Sequence, residues 1–206
     1  AEIPPTFYAA MRMAVVAAVL APFLKWRAGK MKMLFLAALC FGCFNYVLLL
    51  NGVKLATASA SAIANQLYVP FATVLSVLLL KESIGWRRIS GIAFAFAGVA
   101  LIALSRDQDV PGARIGIGVG LVAGAALIEA TGSILVKKAA GFKPWELLAW
   151  FGLIGAVFLF AASAILEKGQ LAALAASDKK IVIGAILYSS LVASVFGHTA
   201  YYWLIQ

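Results

Sequence analysis

The chain has 206 residues, of which 64% are hydrophobic and 12% charged, with a mean hydropathy of +1.00 and a formal net charge of +9. Soluble domains run about 45–50% apolar and about 25% charged, and a fold of this size leaves roughly 30% of its unfolded surface wet. The composition therefore disfavours a soluble enzyme, a disordered chain and a disulfide-stapled secreted domain, and it points to a helical membrane protein.

A helix crossing about 30 Å of hydrocarbon needs about 20 mostly apolar residues. Seven stretches qualify: Thr6–Leu24, Lys32–Val53, Thr57–Leu80, Arg87–Ser105, Arg114–Val136, Pro144–Leu166 and Lys180–Ile205. They are continuous runs about twice the length of a barrel strand, so helices are expected. Segment one opens on Pro5-Thr6-Phe7 and carries Arg12 within its first turns. Arg12 can contact an anionic substrate group or snorkel to the surface about 10 Å away.

Segment two holds Cys40 and Cys43, which lack further ligands for zinc and read as packing residues, and the polar Asn45. Segment three places Ser61, Asn65, Tyr68, Ala72 and Ser76 on one helical face. Pro70 has no N–H, so the carbonyl of Gln66 is expected to lose its helical partner. A free carbonyl, an amide and a phenol would then lie within about one turn of each other. That set suits a substrate site near the midplane, the favoured reading over one in which Pro70 serves only as a kink and the amides as inter-helix ties. Glu82 follows at the helix end beside Lys81 and Arg87, where it reads as a charge contact.

Segment five repeats small residues at Gly116, Gly120, Gly124 and Gly132, a pattern that lets backbones approach closely. Packing within the chain is the expected use, with a homodimer contact as the other. The same segment carries Glu129, roughly 20 Å from its outer end at helical rise, and Ser133 one turn later. Segment six opens on Pro144-Trp145-Glu146, and segment seven carries the single histidine, His198, then Tyr202 and Trp203. Ionisable groups inside a membrane are costly and often functional. If Glu129 and His198 face one another, a carboxyl and an imidazole titrating near neutrality could relay a proton; alternatively Glu129 pairs with Lys137 or is reached by water. The other tryptophans fall near segment ends, as an interfacial belt does.

The basic residues set the orientation. Loops after segments one, three and five hold Lys25, Arg27, Lys30, Lys32, Lys81, Arg87, Arg88, Lys137, Lys138 and Lys143. The alternate loops hold Lys54, Arg106, Arg114, Lys168, Lys179 and Lys180. The positive-inside rule places the larger set in the cytoplasm, so the first residues lie outside. Basic residues placed this way are juxtamembrane charges, and no nucleic-acid partner is expected. An outside start without Met predicts an earlier helix, and the end within an apolar run predicts further ones.

The Pro5 and Pro144 openings can be laid on one another, as can Phe44-Asn45-Tyr46 and Phe196-Gly197-His198. The paired segments run in opposite directions, as in the inverted repeats of secondary transporters. The run Asn51-Gly52-Val53-Lys54-Leu55-Ala56-Thr57-Ala58-Ser59-Ala60, then Tyr68-Val69-Pro70, Leu80-Lys81-Glu82, Gly85, Gly91 and Gly98-Val99-Ala100-Leu101-Ile102, resembles the EamA-type domain of the drug/metabolite transporter superfamily. Arg12 resembles the arginine common in the second helix of that repeat. The resemblance is strongest over residues 4–105. It implies ten helices as two inverted repeats, of which helices two to eight are present: residues 1–106 as the first repeat without its first helix, and 107–206 as the second without its last two.

The expected fold is thus an all-α polytopic inverted-repeat bundle. The expected function is secondary export of small metabolites, amino acids or related compounds, by alternating access across a bacterial inner membrane, with no cofactor or metal. The cavity is expected between segments two, three, five and seven, lined by Asn45, Asn65, Gln66, Tyr68, Glu129, Ser133, His198 and Tyr202. A seven-helix receptor or sensor is the alternative, but a retinal protein needs a lysine near the middle of its last helix, and Lys180 lies at the edge. A membrane-embedded enzyme would need paired acids, a Ser–His pair or a metal cluster at one depth. No GxSxG, P-loop or HExxH motif is present.

Overall fold

The computed structural model describes residues 3–104, 114–138 and 141–198, with His198 described in its backbone only. Among the described residues the chain is helical without strands: α1 Pro5–Leu20, α2 Met31–Leu39, α3 Asn45–Leu55, α4 Ala58–Asn65, α5 Tyr68–Leu80, α6 Trp86–Leu104, α7 Ile115–Lys138, α8 Pro144–Leu166, α9 Gln170–Ala176 and α10 Lys179–Tyr188. They give seven membrane-length apolar spans: Pro5–Phe23, Met31–Leu55, Ala58–Leu80, Trp86–Leu104, Ile115–Lys138, Pro144–Leu166 and Lys179–Gly197. The protein is an integral, multi-pass helical membrane protein.

Helix starts follow local chemistry. Pro5 and Pro144 open α1 and α8, where a missing N–H costs nothing. Thr57 Oγ1 accepts the Ala60 N–H at the start of α4, and Asp178 accepts the Lys180 N–H at the start of α10. Chain α5 ends on Lys81 in the left-handed region (φ 57°), and the turn is tied by Ser76, whose carbonyl accepts the Glu82 N–H and whose hydroxyl donates to the Glu82 carboxylate. Glu82 thus binds the end of its own helix.

Four spans depart from single α-helices, and span one does so by ending in a 3-10 turn, Ala21–Phe23. Span two passes through a π-helical stretch, Cys40–Phe44, between α2 and α3. Span seven changes from α10 to a π-helix over Ser189–His198. Span three breaks at Gln66–Leu67, between α4 and α5. This last break corrects the expectation of a free Gln66 carbonyl. Pro70 withholds its N–H, and the chain tightens so that the Val69 N–H supplies the Gln66 carbonyl at 3.2 Å. The Gln66 and Leu67 N–H groups likewise reach Ile63 and Ala64 three residues back.

The chain forms two compact units, each with helices from both expected repeats. The first comprises Ala1–Cys43 and Leu135–Gln206. Its core joins Leu34, Ala37 and Ala38 of α2 to Phe142, Leu147, Phe151 and Ile154, and Val16 and Leu20 of α1 to Leu148 and Ala149 of α8. Glycines allow close crossings: a Cβ on Gly42 would fall 2.8 Å from the Gly155 Cα, and one on Gly152 would fall 3.0 Å from the Ala17 nitrogen.

The second unit is Phe44–Ile134. Ala60, Ala64 and Leu67 pack with Val99 and with Val119, Val122 and Ala126 of α7. Here α3 and α7 meet through Gly52 and Gly118, where a Cβ on Gly118 would lie 2.8 Å from the Gly52 carbonyl oxygen. The tightest contact thus runs two residues off the stripe singled out in the sequence. Gly116 abuts Ala103, Gly124 meets Leu48 and Gly120 meets nothing within 4 Å among the described residues.

Candidate functional site

The second unit brings two sequence-selected polar residues together. Asn45, the first residue of α3, is buried, and its amide nitrogen donates to the Ala125 carbonyl at 3.0 Å and to Glu129 Oε2 at 3.3 Å. One NH2 group therefore fixes the Glu129 carboxyl against the α7 backbone. Glu129 itself is half-buried, so the carboxyl is held without being sealed in. Ser133, one turn on, is half-buried, and its hydroxyl donates to the Ala130 carbonyl of its own helix.

The helix break presents a second polar group. Ser61 is buried and Asn65 half-buried one turn later, and among the described residues Ser61 Oγ and Asn65 Oδ1 find no hydrogen-bond partner. Gln66 is exposed at the break, Tyr68 packs against the Ala60–Leu67 core, and Pro70 is buried. His198's side chain and Tyr202 lie outside the described residues, so the expected Glu129–His198 pair does too. Among the described residues no group of three metal-ligating side chains assembles, and Cys40 and Cys43 are free thiols.

In the first unit, Arg12 donates through Nε to Ser194 Oγ at 3.0 Å, while the Ser190 hydroxyl donates to the Arg12 carbonyl. One turn earlier, the Tyr8 hydroxyl lies 3.0 Å from both the Ala185 carbonyl and Ser189 Oγ. Ser190 and Ser194 are buried. Arg12 thus takes part in a polar seam between α1 and the π-helical stretch. Ser189, Ser190 and Ser194 were not among the residues expected to carry function. Their signal is polar residues in an apolar run at the spacing of one helical face.

Two carboxylates missed as interaction centres clasp α1 to α8. At one end, Glu167 accepts the Thr6 and Phe7 N–H groups, both at 2.9 Å, and the Ser163 hydroxyl at 2.8 Å. These N–H groups are orphan donors of the first turn of α1. At the other end, Glu146 is fully buried; it accepts the Lys143 N–H at 3.0 Å and Arg27 Nη2 at 2.9 Å, with Lys25 at 3.6 Å. The first bond is the reach-back half of a capping box, legible in the three-residue spacing.

Glu167 lies just beyond its span. Burial pushes its carboxyl up, but the bonds from Thr6, Ser163 and Phe7 outweigh this and hold it below the ordinary value of 4.5. A depressed folded-state value stabilises the fold above the unfolded value, and the contribution is lost as pH falls through the folded one. Thermal melts in detergent are expected to show a loss of stability below about pH 4.5 that is smaller in Glu167→Gln. An identical pH profile in the variant would remove Glu167 from this role.

Seven apolar spans, one of them carrying an amide-held carboxyl, define a polytopic membrane protein. The sequence profile of the EamA-like transporter family matches residues 1–104, half of the chain. The chain belongs to the EamA-like transporter family. No curated protein and no solved structure matches it.

Proposed function

We propose that the protein acts in secondary transport, exporting small metabolites such as amino acids by alternating access, with Asn45 and Glu129 at the heart of its site. The observation that carries this reading is the Glu129 carboxyl inside an apolar span, clamped by the buried Asn45 amide. An intramembrane acid is expensive to keep and typically marks a substrate or proton pathway. A half-buried carboxyl can exchange a proton, and His198 is the proposed partner in coupling export to proton entry. Asn65, Gln66, Tyr68, Ser133 and Tyr202 are proposed to complete the lining, and Arg12 to offer an anion contact. The proposed setting is a bacterial inner membrane, with dimer formation as a further proposal.

The inverted repeat, residues 1–106 and 107–206, belongs to the same reading. Laying Phe44 on Phe196 also lays Cys40 on Val192, so the π-helical stretch of span two falls within that of span seven. π-helical turns are rare and cluster at functional sites, which supports common descent of the two spans.

The test is export of a radiolabelled amino-acid mixture from preloaded cells expressing the protein. Gln66→Ala combined with Tyr68→Ala is expected to cut export at least about tenfold, the effect of roughly 1.4 kcal/mol of lost binding. Unchanged export in a well-expressed double variant would sink the helix-break site.

A further inference from the structure

One end of the first unit gathers more positive charge than its own carboxylates can balance. Arg27 reaches from the α1–α2 loop to Glu146 and sits 5.2 Å over the Phe142 ring. Lys30 approaches the same loop, close enough that a Cβ on Gly141 would fall 2.9 Å from its Nζ. The loops over residues 25–32 and 141–143 thus form one shelf. It carries Lys25, Arg27, Lys30, Lys32 and Lys143, and α7 ends toward the same loop with Lys137 and Lys138.

Within this shelf Glu146 is the acidic group, and it is fully buried beneath Arg27 and Lys25. It draws Arg27 inward, while Lys25, Lys30, Lys32 and Lys143 stay exposed around it. Indole rings lie at the same level. Trp26 is 72% exposed, Lys143 Nζ stands 5.3 Å from the Trp145 ring, and Trp150 Nε1 donates to the Lys25 carbonyl. Lysines interleaved with tryptophans at helix ends match the headgroup level of a bilayer. On the orientation given by the charge distribution, that is the cytoplasmic leaflet.

We propose that this shelf binds the phosphodiester headgroup of an anionic phospholipid, with Lys30 and Lys143 as its principal contacts and Trp26 beside the glycerol region. Like charges crowded at a membrane surface repel one another, and an anionic headgroup relieves that repulsion where a zwitterionic one does not. Basic pockets between spans on the cytoplasmic side are suited to such headgroups. The inference is independent of what the protein transports.

The test uses the full chain in phosphatidylcholine vesicles carrying trace spin-labelled phosphatidylglycerol or spin-labelled phosphatidylcholine. The fraction of motionally restricted lipid gives the relative association of the two. Phosphatidylglycerol is expected to be favoured at least about fivefold, the scale of one lysine near an anionic headgroup. The preference should fall to near one in Lys30→Gln/Lys143→Gln and persist in Lys168→Gln/Lys179→Gln at the opposite end. About 1 M salt, where the screening length is about 3 Å, should erase it in the unaltered protein, which requires no substitution. No preference in the unaltered protein, or equal loss in both double variants, would overturn the proposal. Loss of the preference to millimolar inorganic phosphate at constant ionic strength would also overturn it, by assigning the shelf to a soluble anion.

Discussion

Glu146→Ala is expected to destabilise the protein by an amount near the lower end of about 1.5–3 kcal/mol, the worth of hydrogen bonds to a charged group. The lower end applies because the Arg27 side chain is 37% exposed and the Lys25 side chain 63%, so water screens both once the carboxylate is gone. The substitution also removes the acceptor of the Lys143 N–H at the start of α8. Replacing the whole pair by apolar groups, Glu146→Leu with Arg27→Met, should recover much of the loss, because no buried charge is then left alone. Thermal unfolding in detergent reads both variants. A single variant as stable as the parent would mean that the clasp does not hold α1 and α8 together.

Gly155→Val is expected to be strongly damaging at the close crossing of the first unit. Gly155 and Gly42 bring the backbones of α8 and the π-helical stretch into contact, and a Cβ on Gly155 would fall 3.1 Å from the Gly42 Cα and 3.2 Å from its carbonyl oxygen. The clash is with backbone, so no side chain can swing aside. Overpacking costs about 1–3 kcal/mol, and two rigid helices place this case at the top of that range or above it. Gly120→Ala is the contrasting change, since a Cβ there meets nothing within 4 Å among the described residues. Helix propensity alone should make it neutral or stabilising by about 0.5–1 kcal/mol. Melting temperatures that rank the two variants in the opposite order would contradict the close crossing.

The seven spans were legible because continuous apolar runs leave little choice of structure in a bilayer, where every backbone group must bond within its own helix. The break in span three was legible at Pro70. What fills the vacant position was not, because the Val69 N–H becomes available only when the chain tightens locally. The π-helical stretch Cys40–Phe44 contains no proline, and the contact at Gly42 is made with a residue more than a hundred positions away. A local pattern carries no trace of such an approach.

The candidate site was half legible. Polarity within an apolar run singled out Asn45 and Glu129, but helical periodicity cannot register residues on different spans, so their pairing emerged only in the fold. Glu146 stood out merely as part of the Pro144 opening. Its partner Arg27 is 119 residues upstream, and the loops that join them are not periodic. The glycine stripe of α7 was visible as a stripe, yet its contact face was shifted to Gly118, because the facing helix supplies Gly52 at that level.

The proposed role of Glu129, held by Asn45, is in transport itself. Export of the labelled amino-acid mixture from preloaded cells, compared between the parent and Glu129→Gln at matched expression, tests it most directly. The isosteric amide keeps the shape of the side chain and removes its ability to carry a charge or exchange a proton. Losing a charge-assisted hydrogen bond of about 1.5–3 kcal/mol corresponds to roughly a 10- to 100-fold slower rate. A loss of that size is expected; export by Glu129→Gln at the parent rate would exclude a role for the Glu129 carboxyl in transport.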